Sequence, residues 1–427
     1  MFFKLFQKLN RKKYFPYFIC TPLIYGIGAA SEHIFMASAY SKIKNKKLLI
    51  VKINILKKLL KYNICNNALF DSLVINGESQ VKKNFLCKII NFLINIEFAV
   101  RRLLAILLKN FLKINLNETF RFAHIGTIDF FTEQKNVPYE DILPLYENNQ
   151  KIELKVDDLE KCKNQFKNYN PENKKIVCLH VRDENYYKDR HRRSYRNSTI
   201  DNYIDLIKFL IKKNYLVVRL GDASANNINF KNSNFIDYPK VNFRSEEMDL
   251  YLIQSCDFFI GTPSGLMDTA YLFNKPLLLT NLYDIYPSFL RKKIDRGLLR
   301  KIIRKDNGKA LTLKEFISKD INYHQTQVNI RDLQFIENSS KELLEAAQEF
   351  VKNLETFYYV NKEIKFNEKQ LKLKILLNKR LEEIYNEEVI KKDYFKDQLW
   401  KKNHFLKIIK RFKSCKGTFT LTSLNCL

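Results

Sequence analysis

The sequence KKIVCLHVRDENYYKDRHRRSYRN, at residues 174–197, decides the fold expected for this chain. Its apolar run at 176–181 predicts a short buried strand, and His180, Arg182 and Asp183 stand where that strand ends. Ligands of open α/β sheets bind just outside the carboxyl ends of the strands. A guanidinium in that position can bind a phosphate through two N–H groups at once. The stretch therefore predicts a binding site for a nucleotide diphosphate.

The sequence after this stretch alternates between short apolar runs and amphipathic segments. Apolar runs that end in turn residues predict further strands at 215–220, 234–238, 257–260 and 276–280. The segments between them predict helices that begin near Ser198, Ser245 and Gly265, and serine is a favoured residue at a helix start. This alternation predicts an α/β fold with a parallel, doubly wound sheet.

Polar groups and glycines follow three of these predicted strands. The carboxyl ends of parallel strands share one edge of a sheet, so the three clusters are expected to converge on one ligand. Glycines allow the backbone to approach closely, and the helix predicted after Ser264 offers N–H groups and a positive dipole end to a phosphate. The candidate binding residues are His180, Arg182, Gly221, Asp222, Gly261, Thr262, Ser264 and Gly265.

Several of these residues also have a structural interpretation. His180 could be a satisfied histidine at a strand end, Asp222 a turn residue, and Ser264 a helix N-cap. Arg182 is harder to explain structurally, because a charge that ends a buried strand needs a partner. The occurrence of polar clusters at three strand ends favours the functional interpretation.

Three motifs resemble those of a known enzyme family. They are H-V-R-D at 180–183, R-L-G-D at 219–222 and F-I-G-T-P-S-G-L at 259–266. The set resembles the motifs of fucosyltransferase-like glycosyltransferases of the GT-B fold, and in particular a family of bacterial surface-polysaccharide glycosyltransferases. The chain is similar to that family also at Y-R-N-S (195–198), M-D (248–249) and I-E-N (336–338).

The resemblance implies two Rossmann-like domains, of which the C-terminal one holds a nucleotide sugar. Arg182 would bind the diphosphate, and His180 and Asp222 would address the base. The phosphates or the ribose would contact Thr262, Ser264 and Gly265. In the N-terminal domain, residues 26–28 and 31–33 would line the acceptor side.

A glycosyl transfer with inversion needs one general base to deprotonate the acceptor hydroxyl. Asp183, Glu184 and Glu32 are the three candidates. No D-x-D motif follows a predicted strand, so a metal-independent reaction is expected, in which the arginine and the helix dipole neutralise the departing diphosphate. No separate cofactor is expected. The donor is a nucleotide sugar, and the fucosyltransferase-like motifs favour GDP slightly over UDP.

The predicted organisation has three parts. They are an N-terminal Rossmann-like acceptor domain at 1–170, a C-terminal nucleotide-sugar-binding Rossmann-like domain at 171–330 and a basic helical extension at 331–427. The Asn170-Pro171-Glu172 break precedes the central strand and marks the first boundary. The first half predicts a strand at 22–25, a helix at 31–41, a strand at 47–51 and a strand-to-turn site at 122–127.

The formal net charge of +28 requires an anionic partner or surface. Basic residues gather at 291–309 and in the tail, and we expect them to contact the anionic inner face of a membrane, near a lipid-linked acceptor. Residues 2–9 predict a short amphipathic helix of the membrane-surface type. Residues 84–112 are strongly apolar but interrupted by charges, which fits a buried helix or an interfacial basic helix. The longest uncharged run, at 89–96, is too short to span a bilayer.

The cysteines and the N-terminus indicate the compartment. None of the eight cysteines forms a C-x-x-C pair or a group with zinc spacing, so free thiols in a cytoplasmic, peripheral protein are expected. The basic and then apolar start of residues 1–31 mimics a signal peptide. Pro16, Pro22 and Gly26 interrupt it, and a strand followed by a glycine-rich turn is the favoured interpretation.

Two other functions compete with glycosyl transfer. Gly26 and Gly28 favour a dinucleotide oxidoreductase, but the third glycine of G-x-G-x-x-G and the acidic residue about 20 positions later are missing. The charge favours a nucleic-acid- or membrane-binding module without catalysis, but no RRM, KH, HTH or zinc motif occurs, and no nucleic-acid partner is expected. The leading hypothesis is a hexosyl or deoxyhexosyl transferase that acts on a cell-surface glycan or glycolipid, such as lipopolysaccharide.

Overall fold

The computed structural model of the chain describes residues 1–60, 62–75, 78–79, 85–116, 151–185, 196–283, 290–312, 315, 333–359, 364–390 and 416–425. The strands are β1 (Tyr17–Cys20), β2 (Lys47–Ile50), β3 (Leu73–Ile75), β4 (Glu78–Ser79), β5 (Ile152–Leu154), β6 (Lys175–His180), β7 (Tyr215–Leu220), β8 (Phe235–Asp237), β9 (Phe258–Gly261), β10 (Leu277–Leu282), β11 (Arg296–Leu299), β12 (Lys301–Arg304), β13 (Leu333–Ile336) and β14 (Thr418–Phe419). The α-helices are α1 (Phe2–Arg11), α2 (Ile27–Ile43), α3 (Ala68–Asp71), α4 (Phe85–Phe111), α5 (Val156–Phe166), α6 (Ile204–Lys212), α7 (Glu246–Ser255), α8 (Gly265–Leu272), α9 (Ser340–Tyr359), α10 (Glu368–Ile390) and α11 (Leu421–Asn425). The strand-to-turn site predicted at 122–127 lies outside the described residues.

The chain divides into two compact units. The first unit comprises Met1–Gln165, Ser245–Gln254 and Tyr271–Asn274. The second comprises Phe166–Arg244, Ser255–Ala270 and Lys275–Leu427. Both contain helices and strands, so the α/β class expected from the sequence is confirmed. The acceptor and nucleotide-sugar roles of the predicted domains stay predictions.

The first unit begins with a parallel pair of strands, β1 and β2, that α2 connects. The sequence predicted the first strand at 22–25, but it lies at Tyr17–Cys20. All four residues of Tyr17–Cys20 are buried, whereas Pro22 lacks the N–H that a strand position uses. The Asn10 side chain ties α1 to this strand, because it bonds the backbone N–H and carbonyl of Ile19, each at 2.8 Å.

Helices α1 and α4 are joined within the first unit. Glu97 of α4 accepts hydrogen bonds from the amino group of Met1 and from the backbone N–H of Phe3, the latter at 2.9 Å. The amphipathic pattern predicted that Phe3 and Phe6 face a membrane. Both side chains are buried in the protein core instead. In the described part of the chain, no helix is both long and apolar enough to cross a bilayer.

The second unit is built on a sheet of seven described strands in the order β14-β11-β10-β9-β6-β7-β8, with every pairing parallel. If β6 is numbered as strand 1, the six strands β8-β7-β6-β9-β10-β11 follow the 3-2-1-4-5-6 order of a doubly wound Rossmann sheet. The alternation of the sequence predicted this sheet, and the prediction is confirmed. Two α/β units, one with such a sheet, agree with the GT-B-like class.

One side of this sheet is covered by α6 and α9. Leu206 and Leu210 of α6 and Phe350 of α9 share a buried core with Val177 of β6 and Val217 of β7. At the edge of the sheet, β14 pairs with β11, so part of the region predicted as a separate helical extension completes the sheet.

The predicted helix starts have different outcomes. The hydroxyl of Ser245 accepts the N–H of Met248 at 3.0 Å, so Ser245 caps α7 as predicted. The prediction for Ser198 is wrong, because a 3-10 turn begins at Ile200 before α6. The Ser198 hydroxyl accepts a hydrogen bond from Arg300 at 2.6 Å instead, since this buried guanidinium requires acceptors.

The basic segment at 291–309 is not a continuous surface patch. Arg291, Arg296 and Arg300 are each at least 95% buried, with exposed fractions of 5%, 1% and 3%. Their guanidinium groups are buried within the second unit. These three side chains therefore do not supply the membrane-binding surface that the charge of the segment had suggested.

Candidate functional site

The carboxyl ends of β6 and β9 lie side by side in the middle of the seven-stranded sheet. The strand order reverses between these two strands, and open α/β sheets bind ligands at such a switch point. The carbonyl oxygen of His180 accepts the N–H of Thr262 at 3.0 Å. The hydroxyl of Thr262 accepts the N–H of Arg182 at 2.9 Å. The structure thus brings the H-V-R-D and G-T-P-S-G motifs together.

Gly261 permits this contact between the strands. A β-carbon at Gly261 would lie 2.6 Å from the carbonyl oxygen of His180 and 2.8 Å from the ring of Phe259. Both distances are shorter than nonbonded carbon contacts, so a side chain at this position would push β9 away from β6. The glycine is explained by strand packing, and any contact with a ligand is additional.

Ser264 directly precedes α8 and is buried, yet its hydroxyl has no hydrogen-bond partner in the described structure. An unpaired buried hydroxyl costs roughly 1–3 kcal/mol. The N-cap interpretation of Ser264 therefore fails, since a cap would hydrogen-bond to α8. The first N–H groups of this helix lack carbonyl partners within the helix. A hydroxyl and a helix start together suit the oxygen atoms of an anion.

Arg182 is buried beside this helix start, on the adjacent strand end. Its guanidinium donates to the side-chain oxygen of Asn197, which is a neutral acceptor. The carbonyl of Arg182 accepts the N–H of Ser198 at 2.9 Å, so the two segments are held together by backbone as well as side chain. The neutral amide of Asn197 orients the guanidinium.

A buried polar network holds Asn197 in turn. Arg300 donates to the carbonyl of Asn197, and its Nε donates to the carbonyl of Asn281 at 3.2 Å. The side chains of Asn281 and Asn338 each accept the backbone N–H of the other, at 2.8 and 2.7 Å. Asn281 has a φ of +53°, an uncommon conformation for a residue other than glycine. The sequence pattern assigned Arg300 to a lipid-binding patch. The network shows that Arg300 instead supports the site.

Asn197 and Asn338 occur in the Y-R-N-S and I-E-N motifs, so the resemblance pointed to them without assigning them a role. The structure supplies that role: both help to position the loop that holds Arg182. Asn281 carried no signal in the sequence. A polar residue within the apolar run of β10 was the one available clue.

His180 has an altered acidity. Burial lowers the pKa of His180 to about 4, and the charges of Arg219 and Arg182 act in the same direction, against the opposing effects of Leu220 and Asp183. The ring is therefore neutral at neutral pH. Its Nδ1 lies 3.2 Å from the carbonyl oxygen of Leu220, which can only accept, so Nδ1 carries the proton. The other ring nitrogen, Nε2, is then a hydrogen-bond acceptor.

The candidate general bases occupy different settings. Asp183 is buried, and its two carboxylate oxygens accept the N–H groups of Asn226 at 2.8 Å and Asn185 at 3.1 Å. Asp183 thereby joins the loops that follow β6 and β7. Glu184 is exposed. Glu32 lies on α2 in the first unit and is half-buried.

Asp222 forms a turn at the end of β7. Its carboxylate accepts the N–H of Ser224 at 2.9 Å, which matches the structural interpretation of this residue. Although partial burial acts to raise it, hydrogen bonds from Ser224 and the charge of Arg244 hold the pKa of Asp222 below its usual value. The preceding Gly221 has a φ of +157° and packs against Pro239, which explains the glycine structurally.

Two further arginines lie near the start of α8. Arg196 donates to the carbonyl of Pro263 at 2.7 Å, and the Arg291 guanidinium lies 4.0 Å from the carboxylate of Asp268. Burial raises the pKa of Asp268 to about 7, against the opposing charges of Arg291 and Arg196. The sequence analysis did not single out Asp268, which lies one helical turn after Ser264.

No protein-family model and no curated protein matches the chain. Solved structures that match part of the chain include an iron-containing dodecameric heptosyltransferase, TibC, in complex with ADP-D-β-D-heptose, at 21% identity and a TM-score of 0.17, over 25% of this chain and 27% of that one. The chain therefore spans about a quarter of that protein. Another is the E. coli ADP-heptose lipopolysaccharide heptosyltransferase II, at 13% identity and a TM-score of 0.38, over 79% and 99% of the two chains. A third is the α-1,6-fucosyltransferase NodZ soaked with GDP-fucose, at 14% identity and a TM-score of 0.28, over 62% and 95%.

Proposed function

We propose that this protein is a glycosyltransferase that takes a sugar from a nucleotide-diphosphate donor, whose diphosphate binds at the β6 and β9 strand ends. The observation that carries the proposal is the buried hydroxyl of Ser264 at the start of α8, which has no partner among the residues that the structure describes. Arg182, on the neighbouring strand end, supplies a guanidinium that the side chain of Asn197 orients. A hydroxyl, a helix start and a guanidinium are the groups that bind phosphate oxygens.

Nucleotide-binding enzymes catalyse many reactions. The H-V-R-D, R-L-G-D and F-I-G-T-P-S-G-L motifs favour sugar transfer among them. In such a reaction the glycosidic bond to the diphosphate breaks and the nucleoside diphosphate leaves with the bonding electrons. Arg182 and the α8 dipole would stabilise the negative charge that develops on it. The proposed donor is a GDP-sugar in preference to a UDP-sugar, no metal ion takes part, and the proposed acceptor is a surface glycan or glycolipid.

The neutral ring of His180 fits the recognition of the nucleoside. With the proton on Nδ1, the Nε2 atom can accept a hydrogen bond from a base N–H or a ribose hydroxyl. Asp222 can accept a second one, since its depressed pKa keeps it ionised. A residue that stays neutral at neutral pH adds no repulsion or attraction toward the phosphates, so its contribution is to specificity.

The general base is proposed to be Glu184 or Glu32. Both oxygens of Asp183 already accept backbone N–H groups, which assigns Asp183 to holding the two loops together. We expect the variant that removes the base, Glu184→Gln or Glu32→Gln, to lose about 100-fold or more in kcat with unchanged nucleotide affinity. An Asp183→Asn variant with that same kinetic signature and wild-type thermal stability would instead identify Asp183 as the base.

The donor site is tested by calorimetry of the full chain with GDP, UDP and ADP. We expect GDP to bind the wild type, and Arg182→Ala to weaken that binding by about tenfold to 100-fold, because a charge-assisted hydrogen-bond pair is lost. Arg304→Ala is the matched control, since Arg304 pairs with Glu315 away from the β6 and β9 ends. The site assignment fails if no nucleotide binds the wild type, or if Arg182→Ala and Arg304→Ala bind GDP equally well.

Transfer itself is tested by incubating the protein with a GDP-sugar panel and lipid extracts as acceptors, and measuring released GDP. Release that depends on the acceptor supports glycosyl transfer. Nucleotide binding without release from any sugar nucleotide in the panel, with acceptors present, contradicts it while leaving the binding site intact.

A further inference from the structure

Helix α4 presents a continuous apolar stripe to solvent. Large apolar side chains recur along it at spacings of three and four residues, which places them on one side of a helix. Phe92, Leu107 and Phe111 are 59%, 52% and 77% exposed. The other exposed members of the stripe are Phe85, Leu86, Ile89, Val100, Leu103 and Leu104. A contiguous apolar surface of this length marks an interaction site.

The other side of α4 is committed to the protein. Cys87, Ile90, Ile94 and Phe98 are buried there, within the first unit. Glu97, the one acidic residue of the helix, is buried and is neutralised by the amino group of Met1 and by Arg101 at 2.7 Å. These contacts fix the rotation of the helix, so the stripe faces outward because the opposite side is already packed.

The exposed charged side chains of helices α1 and α4 are cationic. Helix α1, which packs on α4, contains no acidic residue. The exposed cations of the two helices and of the residue shortly after α4 are Lys4, Lys8, Arg11, Lys88, Lys109 and Lys113. An exposed apolar row on a helix whose exposed charges are all cationic matches the surface of a bilayer that contains anionic lipids, where acyl chains and acidic headgroups meet.

We propose that the exposed stripe of α4 docks on an anionic lipid bilayer, with the helix in the plane of the interface. The sequence left an interfacial helix at 84–112 open and predicted membrane contact also from residues 2–9, the segment at 291–309 and the tail, but Phe3, Phe6 and Arg300 are buried. The described helices include none able to span a bilayer, which fits a surface contact. A second copy of the chain is a poorer occupant, because it would bring two sets of lysines together on molecules of net charge +28.

The test is flotation of the full-length protein with vesicles of phosphatidylcholine, with and without phosphatidylglycerol. We expect binding to the anionic vesicles, and a reduction of about tenfold or more for the double variant Phe92→Glu, Leu107→Glu, which removes apolar insertion and adds repulsion. Val156→Glu is the matched control, since Val156 is an isolated apolar residue of α5 that is 66% exposed. It should bind like the wild type.

A second variant separates the charge contribution. Lys88→Glu with Lys109→Glu should weaken binding to the anionic vesicles and leave binding to neutral vesicles unchanged. Because all the substituted side chains are exposed, thermal unfolding of each variant should match the wild type, and this measurement excludes misfolding as the cause.

Three outcomes would overturn the proposal. The first is equal flotation of the wild type and the Phe92, Leu107 double variant. The second is equal binding to vesicles with and without phosphatidylglycerol. The third is a lipid-free dimer in light scattering that the double variant converts to a monomer, which would assign the stripe to a second copy of the chain.

Discussion

Two regions depart from the usual rule that apolar side chains are buried and polar ones exposed. They are the β6 and β9 strand ends in the second unit and helix α4 in the first unit. The strand ends bury polar groups, among them Arg182, Thr262 and Ser264, whereas α4 exposes Phe92 and Leu107. Scattered apolar residues on a surface are ordinary, but buried polar groups and long apolar stripes need an explanation. Each region carries a free-energy cost in the isolated chain that a different partner would relieve: an anion for one and a lipid surface for the other.

The comparison also separates two kinds of buried polar group. The side-chain oxygens of Asn338 and Asn281 each accept the backbone N–H of the other, and their amide groups donate to the Leu299 carbonyl and the Tyr203 hydroxyl. Ser264 is left unsatisfied. A satisfied group stabilises the fold, and an unsatisfied one indicates where a ligand can bind. Substitutions at Asn338, His180 and Ser264 test this distinction.

Asn338→Ala should have the largest effect. It removes the acceptor of the Asn281 N–H and the donor to the Leu299 carbonyl, at 2.7 and 2.8 Å, and leaves both partners buried. We expect the free energy of unfolding to fall by about 3 kcal/mol, measured by urea denaturation. Asn307→Ala is the control, since Asn307 is exposed, and it should change the stability by less than about 1 kcal/mol. Equal effects would mean that the network does not support the site.

His180→Gln should change how stability depends on pH. The folded pKa of about 4 lies below the ordinary 6.5, so between these values the unfolded chain binds a proton that the folded chain does not. His180 therefore lowers stability as the pH falls from 6.5 toward 4, by at most about 3 kcal/mol. The variant cannot titrate and should lose less stability than the wild type over this interval. Parallel pH profiles of the two proteins in urea denaturation would contradict the assignment.

Ser264→Ala should have the smallest effect on stability and the opposite sign. It removes an unpaired buried hydroxyl, so the free energy of unfolding should rise by about 1 kcal/mol while GDP affinity falls about fivefold. Leu104→Gln on α4 is the counterpart from the other region and should stay within about 0.5 kcal/mol of the wild type, because Leu104 is exposed. A marked loss of stability in Ser264→Ala would show that its hydroxyl has a structural partner.

Local patterns predicted the second half of the chain well. The apolar run at 215–220, bounded by polar and turn residues, coincides with β7, and Ser245 caps α7 as its position before two glutamates indicated. The first unit was harder, because its apolar runs are longer and carry few boundaries. The strand at Tyr17–Cys20 was missed for that reason. It was predicted at 22–25 because glycines directly follow those residues.

The amino-acid sequence alone determined which residues end the central strands, because apolar runs of strand length with glycine and polar ends define strands locally. It could not show that Arg300 is buried or that Asn281 pairs with Asn338, because those contacts join residues far apart in the chain. Nor could it assign the outward side of α4, which is apolar nearly all round. Only the packing of Glu97 with Met1 and of Ile94 in the core selects that side, since the rotation of a helix is set by the surfaces against which it packs.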